Sequence, residues 1–494
     1  MAIRSVQEYV DSLKDDRVVY CKGERVNDVT QHPSLRVAVQ LSAVDFMFTQ
    51  HPNYRDLLVE KNEEGEPVSF VLIPPRSTSD LLRKRNILLT LGRICHGLSG
   101  TITGVDGLNG LSVLCERMDK HLGTEYAERM RQYRRHLQKT QAAVALAMTD
   151  VKGDRSLRPS KQVQHRDYYL RIVDDTREGI VVRGAKAHIS YAPVANELLV
   201  LPCRFMGEDD RDYAVACGVP ANAKGVKIVA SAREPIEEGN FFDYPLNAGA
   251  YAADALVFFE DVFVPTERVF LKREWQFSGQ MAYMFANFHR LTGDTYKYLE
   301  LEVMTGLAAL LAEYNGIDKY SHVRDKLTWL VTYTETLEAL GRAACEACVK
   351  EPGTGLVYPN PMYSNIAKLH FADNFHQAIK HIQDIGGSIL ATIPHSKDFL
   401  SPETGPLLEK YLGGKAGVPT EHRVRAINLA KEYSTNFHLV ATLQGEGSLA
   451  AQRMSIHALA DFERYKAAAR RAAWISDGSE HPLFQGLPEW QPMV

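Results

Sequence analysis

The sequence predicts an α+β protein in three consecutive segments, helical, then β, then helical, and three observations lead there. Between about residues 145 and 275 the apolar positions follow the two-residue period of strands, in short runs cut by Gly, Pro, Asp and Asn. On both sides of that block they follow helical spacing instead. At 494 residues the chain is also longer than one hydrophobic core usually serves. The expected organisation is a helical domain over 1–144, a central antiparallel β-barrel or sandwich over 145–275, and a four-helix-type bundle with a C-terminal arm over 276–494.

In the first segment, Val6 to Leu13 reads as a short amphipathic helix, and Ser77, Thr78, Ser79 and Asp80 form a cap cluster ahead of Leu81, Leu82, Ile87, Leu88 and Leu91. A Gly-rich passage follows, with Gly97, Gly100, Gly104, Gly107 and Gly110, before a helix that includes Leu111, Leu114 and Met118. It lacks the strand before it and the Gly-Lys-Ser/Thr ending of a phosphate loop, so it reads as a pocket-lining loop or a tightly packed connection. The β-type runs are Tyr168 to Val173, Ile180 to Val182, Leu198 to Leu201, Tyr213 to Val219, Val226 to Val229, Ala255 to Phe259 and Val262 to Val264. In the third segment Leu299, Leu301, Met304, Leu307 and Leu311 cover more than one face of a long helix ending at Gly316, which predicts burial inside a bundle. Further helices are expected at about 321–350, 363–384, 421–440 and 449–470. The stretch from Asp477, with Pro482, Pro488, Pro492 and Trp490, reads as an arm over another surface or as a frayed tail.

Composition narrows the function classes. A formal charge of −4 gives no field to gather nucleic acid, and 24% charged with 45% hydrophobic residues is ordinary for a globular protein. No apolar run reaches the roughly 20 residues a membrane span needs, and Arg4, Glu8 and Asp11 stand where a secretory apolar region would be. A cytoplasmic protein is expected. Seven scattered cysteines fit reduced thiols, and Cys345-Glu346-Ala347-Cys348 lacks the second pair a metal site needs.

Met148-Thr149-Asp150-Val151-Lys152-Gly153-Asp154-Arg155 opens the β block. Gly153 permits a tight turn, and Thr149, Asp150, Asp154 and Arg155 crowd polar groups onto one loop. A solvated turn and a lip for a polar cofactor both satisfy that pattern. His289-Arg290, after Tyr283, Phe285 and Phe288, sets an acid–base group and a fixed cation at the start of the bundle, where a core histidine is the other reading.

Resemblance goes further than spacing. The order of elements is similar to the acyl-CoA dehydrogenase-like flavoproteins. Glu8 to Leu13, Gly23 to Val29 and His32-Pro33 resemble the opening of the 4-hydroxyphenylacetate 3-hydroxylase family, which also contains 4-hydroxybutyryl-CoA dehydratase. Met148 to Arg155, Gly179 to His188 and Phe285 to Arg290 look closer to the dehydratase branch. The resemblance implies FAD between the β domain and the bundle. It would be contacted by Ala147, Met148, Thr149, Lys152, Gly153, Asp154 and Arg155, by His188 and Ser190, and by Gly447 and Ser448 of the late turn Gly445-Glu446-Gly447-Ser448. Gln383, Gly386 and Gly387 resemble the turn with which acyl-CoA dehydrogenases approach a neighbouring subunit's dinucleotide, which implies a homotetramer.

Two departures divide the branches. The dehydratase branch holds a [4Fe-4S] cluster on three cysteines and one histidine, and those positions here are Leu98, Ile102, Tyr296 and His289. Carbon side chains offer no lone pair, so no iron–sulfur cluster is expected. That branch's catalytic glutamate aligns near Ala441 or Thr442, while Asp254 and Lys297 match its acidic and lysine groups. In the hydroxylase branch, reduced FAD from a separate reductase and O₂ oxygenate a phenolic ring. Its substrate-binding Arg, Tyr and His appear as Thr101, Val105 and Leu146, which implies a substrate without the same phenolate and carboxylate handles, because a buried charge left unpaired is costly. The resulting expectation is the oxygenase component of a two-component FADH₂-using monooxygenase, with His289, Arg290, Lys297 and Asp254 as catalytic groups. A cluster-free acyl-CoA dehydratase, isomerase or dehydrogenase and a non-catalytic flavin-binding homologue are the alternatives.

Overall fold

The computed structural model describes residues 3–95, 102–231, 239–249, 253–435, 445–473 and 475. Six helices of the first segment are α1 (Val6–Asp11), α2 (Arg36–Gln50), α3 (Pro52–Leu58), α4 (Thr78–Cys95), α5 (Ile102–Leu122) and α6 (Tyr126–Thr140). Ser5 and Glu8 cap α1 reciprocally, each side chain holding the other's backbone N–H. The segment also contributes strands, β1 (Val19–Cys21) and β2 (Glu24–Val26), which extend the largest sheet, and a separate two-stranded hairpin, β3 (Val59–Lys61) with β4 (Pro67–Ser69).

Two open sheets face each other, and the described residues form no closed barrel. The larger has the order β2-β1-β10-β11-β7-β6, with β6 Arg171–Asp175, β7 Gly179–Ser190, β10 Val226–Ala230 and β11 Asp254–Pro265. The smaller has the order β12-β9-β8-β5, with β5 Val144–Ala147, β8 Glu197–Val200, β9 Val215–Pro220 and β12 Val269–Lys272. Most pairs are antiparallel, but β1 with β10 and β5 with β8 run parallel. The expected separate runs at 255–259 and 262–264 are one strand, β11, interrupted by a register shift between Phe259 and Val262.

The smaller sheet is buried on both faces. Ala145, Ala147, Leu198 and Val200 face a core shared with the larger sheet, through Val182, Ile228 and Val257. Alternate residues Val144, Leu146, Leu199 and Leu201 face a second core made with α5, α6 and Phe285.

The Gly-rich passage is helix rather than loop from Ile102 onward, and its glycines are contact points. A Cβ on Gly104 would lie 2.4 Å from the Val144 carbonyl, and one on Gly107 2.7 Å from Leu146. On Gly110 it would lie 2.9 Å from the Phe285 backbone nitrogen. Spaced by three, they let α5 press against β5 and the next long helix. Gly97 and Gly100 lie outside the described residues.

That long helix, α7 (Trp275–Tyr314), runs 40 residues, about 60 Å at 1.5 Å per residue. Its first half packs on α4 and α5, and its second half joins α8 (Ser321–Glu346), α9 (Pro361–Gly386) and α12 (Thr420–Thr435) around a third core. The expected bundle is therefore present. Two short helices, α10 (Ser396–Leu400) and α11 (Gly405–Tyr411), were not foreseen. The expected helix at 449–470 divides at Ala460 and Asp461 into Leu449–Leu459 and Phe462–Ala472. Cys345 is a buried core thiol, and Cys348 sits 3.3 Å from the Thr78 hydroxyl. Among the described residues no helix is long and apolar enough to cross a membrane. The arm from 477 lies outside them.

Candidate active site

Side chains from α4, α5, α7, α9 and the late turn before Leu449 converge beside the first half of α7. His289 stacks on Phe285 at 4.9 Å between ring centroids, and Phe285 belongs to the core that holds Leu146 of β5. Its Nδ1 lies 3.0 Å from Oδ2 of Asp106, a fully buried residue of α5. The other carboxylate oxygen of Asp106 accepts from the buried Lys84 ammonium of α4. Burial pushes the Asp106 carboxyl up, but Lys84 and His289 outweigh it and hold it below the ordinary range. An ionised carboxylate only accepts, so the ring nitrogen that faces it, Nδ1, carries a hydrogen and Nε2 is turned away from Asp106.

Two turns further along α7, the Lys297 ammonium donates to Glu446 and, at 2.8 Å, to the Tyr296 hydroxyl, which itself donates to Glu446. Only 3% of the Glu446 side chain and none of Lys297 is exposed. Burial raises the Glu446 carboxyl, yet Lys297, Lys368 and His289 bring it down to about 2. The backbone is arranged around this carboxylate. Glu446 itself has φ 60° and Gly447 φ 102°, a left-handed pair that costs a non-glycine residue about 1–3 kcal/mol. Opposite it, a Cβ on Gly293 would lie 2.5 Å from the Glu446 carboxyl carbon, so only glycine leaves room at that turn of α7.

Asp294 and Arg290 are buried on the neighbouring stripe of α7. Burial lifts the Asp294 carboxyl well above its usual range, with Glu446 adding to it, and lowers the Arg290 guanidinium. Lys368 of α9 is held down at about 8 by burial and by the charge of Lys297.

The β domain presents a second set of expected residues. Ala147 is buried at the end of β5, while Gly153, Asp154 and Arg155 are exposed. Lys152 and Gly153 have φ 77° and 52°, the tight turn the sequence implied. Asp150 is not part of the open lip: it forms a buried ion pair with Lys186 at 2.8 Å, which anchors the loop to β7. Asp154 accepts from the backbone and hydroxyl of Ser156. His188 is exposed with φ 59°, and Ser190 donates to Asp254 where β7 pairs with β11. Asp254 thus sits on the sheet with Ser190. Ser448 caps the helix that begins at Leu449. Gln383, 15 residues or about 22 Å along α9 from Lys368, and Gly387, just past the end of that helix, are both exposed.

Family models for the 4-hydroxyphenylacetate 3-hydroxylase N-terminal and C-terminal regions match residues 5–271 and 278–473. The chain belongs to the 4-hydroxyphenylacetate 3-hydroxylase family. Within it, 4-hydroxybutyryl-CoA dehydratase/vinylacetyl-CoA-Delta-isomerase of Clostridium aminobutyricum is 31% identical over 491 residues, 96% of this chain and all of that protein. The 4-hydroxyphenylacetate 3-monooxygenase oxygenase component of Thermus thermophilus is 32% identical over 86% of this chain and 87% of its own. Among solved structures, the oxygen-tolerant archaeal 4-hydroxybutyryl-CoA dehydratase from N. maritimus superposes with a TM-score of 0.89 at 31% identity, covering 97% of both chains. A 4-hydroxyphenylacetate 3-monooxygenase oxygenase component complexed with FAD reaches 0.87 at 27% identity, covering 96% of this chain and 98% of that one. The fold is that of the acyl-CoA dehydrogenase-like flavoproteins.

The family's two prosthetic groups fit this chain unequally. The lip suits FAD, with its left-handed turn fixed by the Asp150–Lys186 pair and polar side chains at an exposed rim. A [4Fe-4S] cluster is not suited. Ile102 is buried and apolar, and the Tyr296 hydroxyl is engaged by Glu446 and Lys297. The Cys95 thiol belongs to the inter-sheet core, and burial pushes it up to about 12. Leu98, Thr101, Ala441 and Thr442 lie outside the described residues. The expectation that the site lacks one carboxylate is corrected, because Glu446 supplies one. Asp106 and Lys84 were missed entirely, and Glu446 had been read only as part of a cofactor turn. The one signal for Asp106 was a carboxylate on a helix face that also carries Ile102, Gly110 and Val113.

Proposed function

We propose that this chain is the oxygenase component of a two-component monooxygenase, taking FADH₂ from a separate flavin reductase and acting on an aromatic or related small molecule. The observation that carries this reading is the pairing of a flavin-competent lip with a histidine corner whose ligand positions hold Ile102 and Tyr296 in place of thiolates. When bound, reduced FAD supplies the two electrons that activate O₂. The balance is substrate C–H plus O₂ plus FADH₂ to substrate C–OH plus water plus FAD.

In this reading Ala147, Met148, Thr149, Lys152, Gly153, Asp154, Arg155, His188, Ser190, Gly447 and Ser448 hold the flavin, and no iron–sulfur cluster takes part. Asp106 fixes the ring of His289 so that Nε2 accepts or returns a proton. Lys297 holds Glu446 ionised and dry, a fixed negative charge that stands beside the substrate without a water shell. Arg290 offers a positive charge to an anionic group, and Asp254 orients Ser190 on the flavin's β-domain side. Gln383 and Gly387, far from this centre along α9, serve a neighbouring subunit's dinucleotide in a homotetramer.

The test is anaerobic photoreduction of the FAD-loaded protein followed by mixing with air. An oxygen-dependent transient in flavin absorbance whose decay changes with phenolic substrates supports oxygenation; reoxidation that ignores every substrate and yields no oxygenated product overturns it. A second reading, redox-neutral proton transfer on an acyl-CoA thioester, is favoured by one specific observation, the buried Glu446 beside Lys297. Conversion of such a thioester without O₂ would establish it. Four irons per chain in protein purified without oxygen would overturn the cluster-free site.

A further inference from the structure

Where α7 passes α9, buried polar atoms lie without hydrogen-bond partners among the described residues: Nε and Nη1 of Arg290, both carboxylate oxygens of Asp294, Oγ of Ser364 and Oδ1 of Asn365. All four residues are at most 5% exposed. The two helices are in register over this stretch. Phe288 meets Tyr358 just before α9 at 6.3 Å, and further along the Lys297 ammonium lies 5.5 Å over the Phe371 ring. Arg290 and Asp294 therefore face the turn of α9 that carries Ser364, Asn365 and Lys368.

Leaving one such group unpaired in a protein interior costs about 1–3 kcal/mol, and several together mark a place built for a partner. The charges say which partner. Arg290, Lys297 and Lys368 bring three cations, whereas Glu446 is already engaged by Lys297 and Tyr296, and Asp294 is displaced toward its neutral acid form. An anion settling here gains charged and hydroxyl donors at once, and a neutral group does not.

We propose that this seam is the subsite for a carboxylate carried by the substrate, gripped by Arg290 and Lys368 with Ser364 as a further donor. The inference rests on the reading of this pocket as the active site and adds the substrate class, an organic acid. It also accounts for the α5 side of the pocket. Val105 and Leu146, where the hydroxylase branch reads its substrate with polar groups, are buried and apolar here. The charge-reading wall has moved from α5 and β5 to α7 and α9.

Calorimetric titration of the FAD-loaded protein with matched acids and primary amides, benzoate against benzamide and crotonate against crotonamide, tests this. Each pair shares a shape and differs in charge. The acid of at least one pair is expected to bind about tenfold or more tightly than its amide, and Arg290→Gln to erase that ratio. Should Arg290→Gln fail to fold, Lys368→Met is read in its place. Equal binding of acid and amide, no binding of any of the four, or a ratio that survives the substitution overturns the proposal. A ratio present in the apoprotein and lost on loading FAD also overturns it, assigning the seam to the cofactor's phosphates. Protein that takes up no FAD still gives the acid-to-amide ratio, so failure of the oxygenase reading and failure of the subsite are told apart.

Discussion

Two polar clusters share the first half of α7 and are built on opposite terms. At the α4 and α5 side, Lys84, Asp106 and His289 form a closed chain in which both carboxylate oxygens are engaged and the charge is held ionised by its neighbours. At the α9 side, Arg290, Asp294, Ser364 and Asn365 keep open donors and acceptors, and both titrating groups, Asp294 and Lys368, are displaced toward their neutral forms. The difference separates positioning from binding. A fully satisfied buried network fixes one geometry and resists change, whereas an under-satisfied one lowers its free energy when a ligand completes it. Glu446 lies between them, ionised like the first cluster and surrounded by the cations of the second.

Breaking the link between the clusters gives the largest expected effect. Lys297→Met leaves Glu446 buried without its main partner, and Glu446→Leu does the same to Lys297; each should cost about 3–5 kcal/mol in urea or guanidinium unfolding. The double variant should cost far less than their sum, because neither charge remains. Additive losses would show that the two do not act as a pair. On the closed side, Asp106→Asn keeps the shape but can no longer hold the Nδ1 hydrogen as a carboxylate does. Turnover should fall about 100-fold, within the range a positioned acid–base group contributes. KM should change little, and the pH profile of kcat should shift. An unchanged pH profile would reduce Asp106 to a packing role.

Why the sequence disclosed one cluster's helix and not its partners is a matter of range. Phe285 to Arg290 is local, and helical spacing alone places His289 at the start of the bundle. Its carboxylate comes from α5, 183 residues earlier, inside a passage whose glycines imitate a loop. Those glycines at 104, 107 and 110 are contact points in a helix, and nothing local distinguishes a packing glycine from a turn glycine. Glu446 is 149 residues beyond Lys297, and its inward direction depends on a left-handed backbone that composition does not encode. The sheets were more legible because the two-residue period survives even where both faces are buried. The hairpin β1 and β2 escaped because three-residue strands carry no period at all.

Gly293 offers a smaller, sharper probe of the same link. Alanine is the better helix former by about 1 kcal/mol, but its Cβ would have to displace the Glu446 carboxylate. Overpacking of this kind typically costs about 1–3 kcal/mol, so Gly293→Ala should come out close to neutral or mildly destabilising by thermal melting. Its turnover should fall much more than its stability. A variant with wild-type turnover would mean that Glu446 is free to move aside.

The smallest effects are the most diagnostic of the open side, because their signs are set by protonation. Burial raises the Asp294 carboxyl well above its ordinary range, so the folded state disfavours its charged form wherever the unfolded chain has released the proton. Asp294→Asn removes that penalty and should raise the midpoint of thermal unfolding near pH 7, with the gain shrinking as pH falls into the ordinary carboxylate range. Lys368 has the opposite history, lowered from 10.5 to about 8. Between those values the unfolded chain binds the extra proton, so stability should rise as pH climbs from about 8 toward 10.5, and Lys368→Met should flatten that rise. A carboxylate bound beside Lys368 would restore its charge. At pH 9 the binding of benzoate or crotonate should therefore take up protons from solution, seen as a dependence of the calorimetric heat on buffer ionisation enthalpy. Such uptake belongs to Lys368 regaining its proton beside the bound acid, and it should vanish in Lys368→Met; uptake that persists there would place the acid elsewhere on the protein.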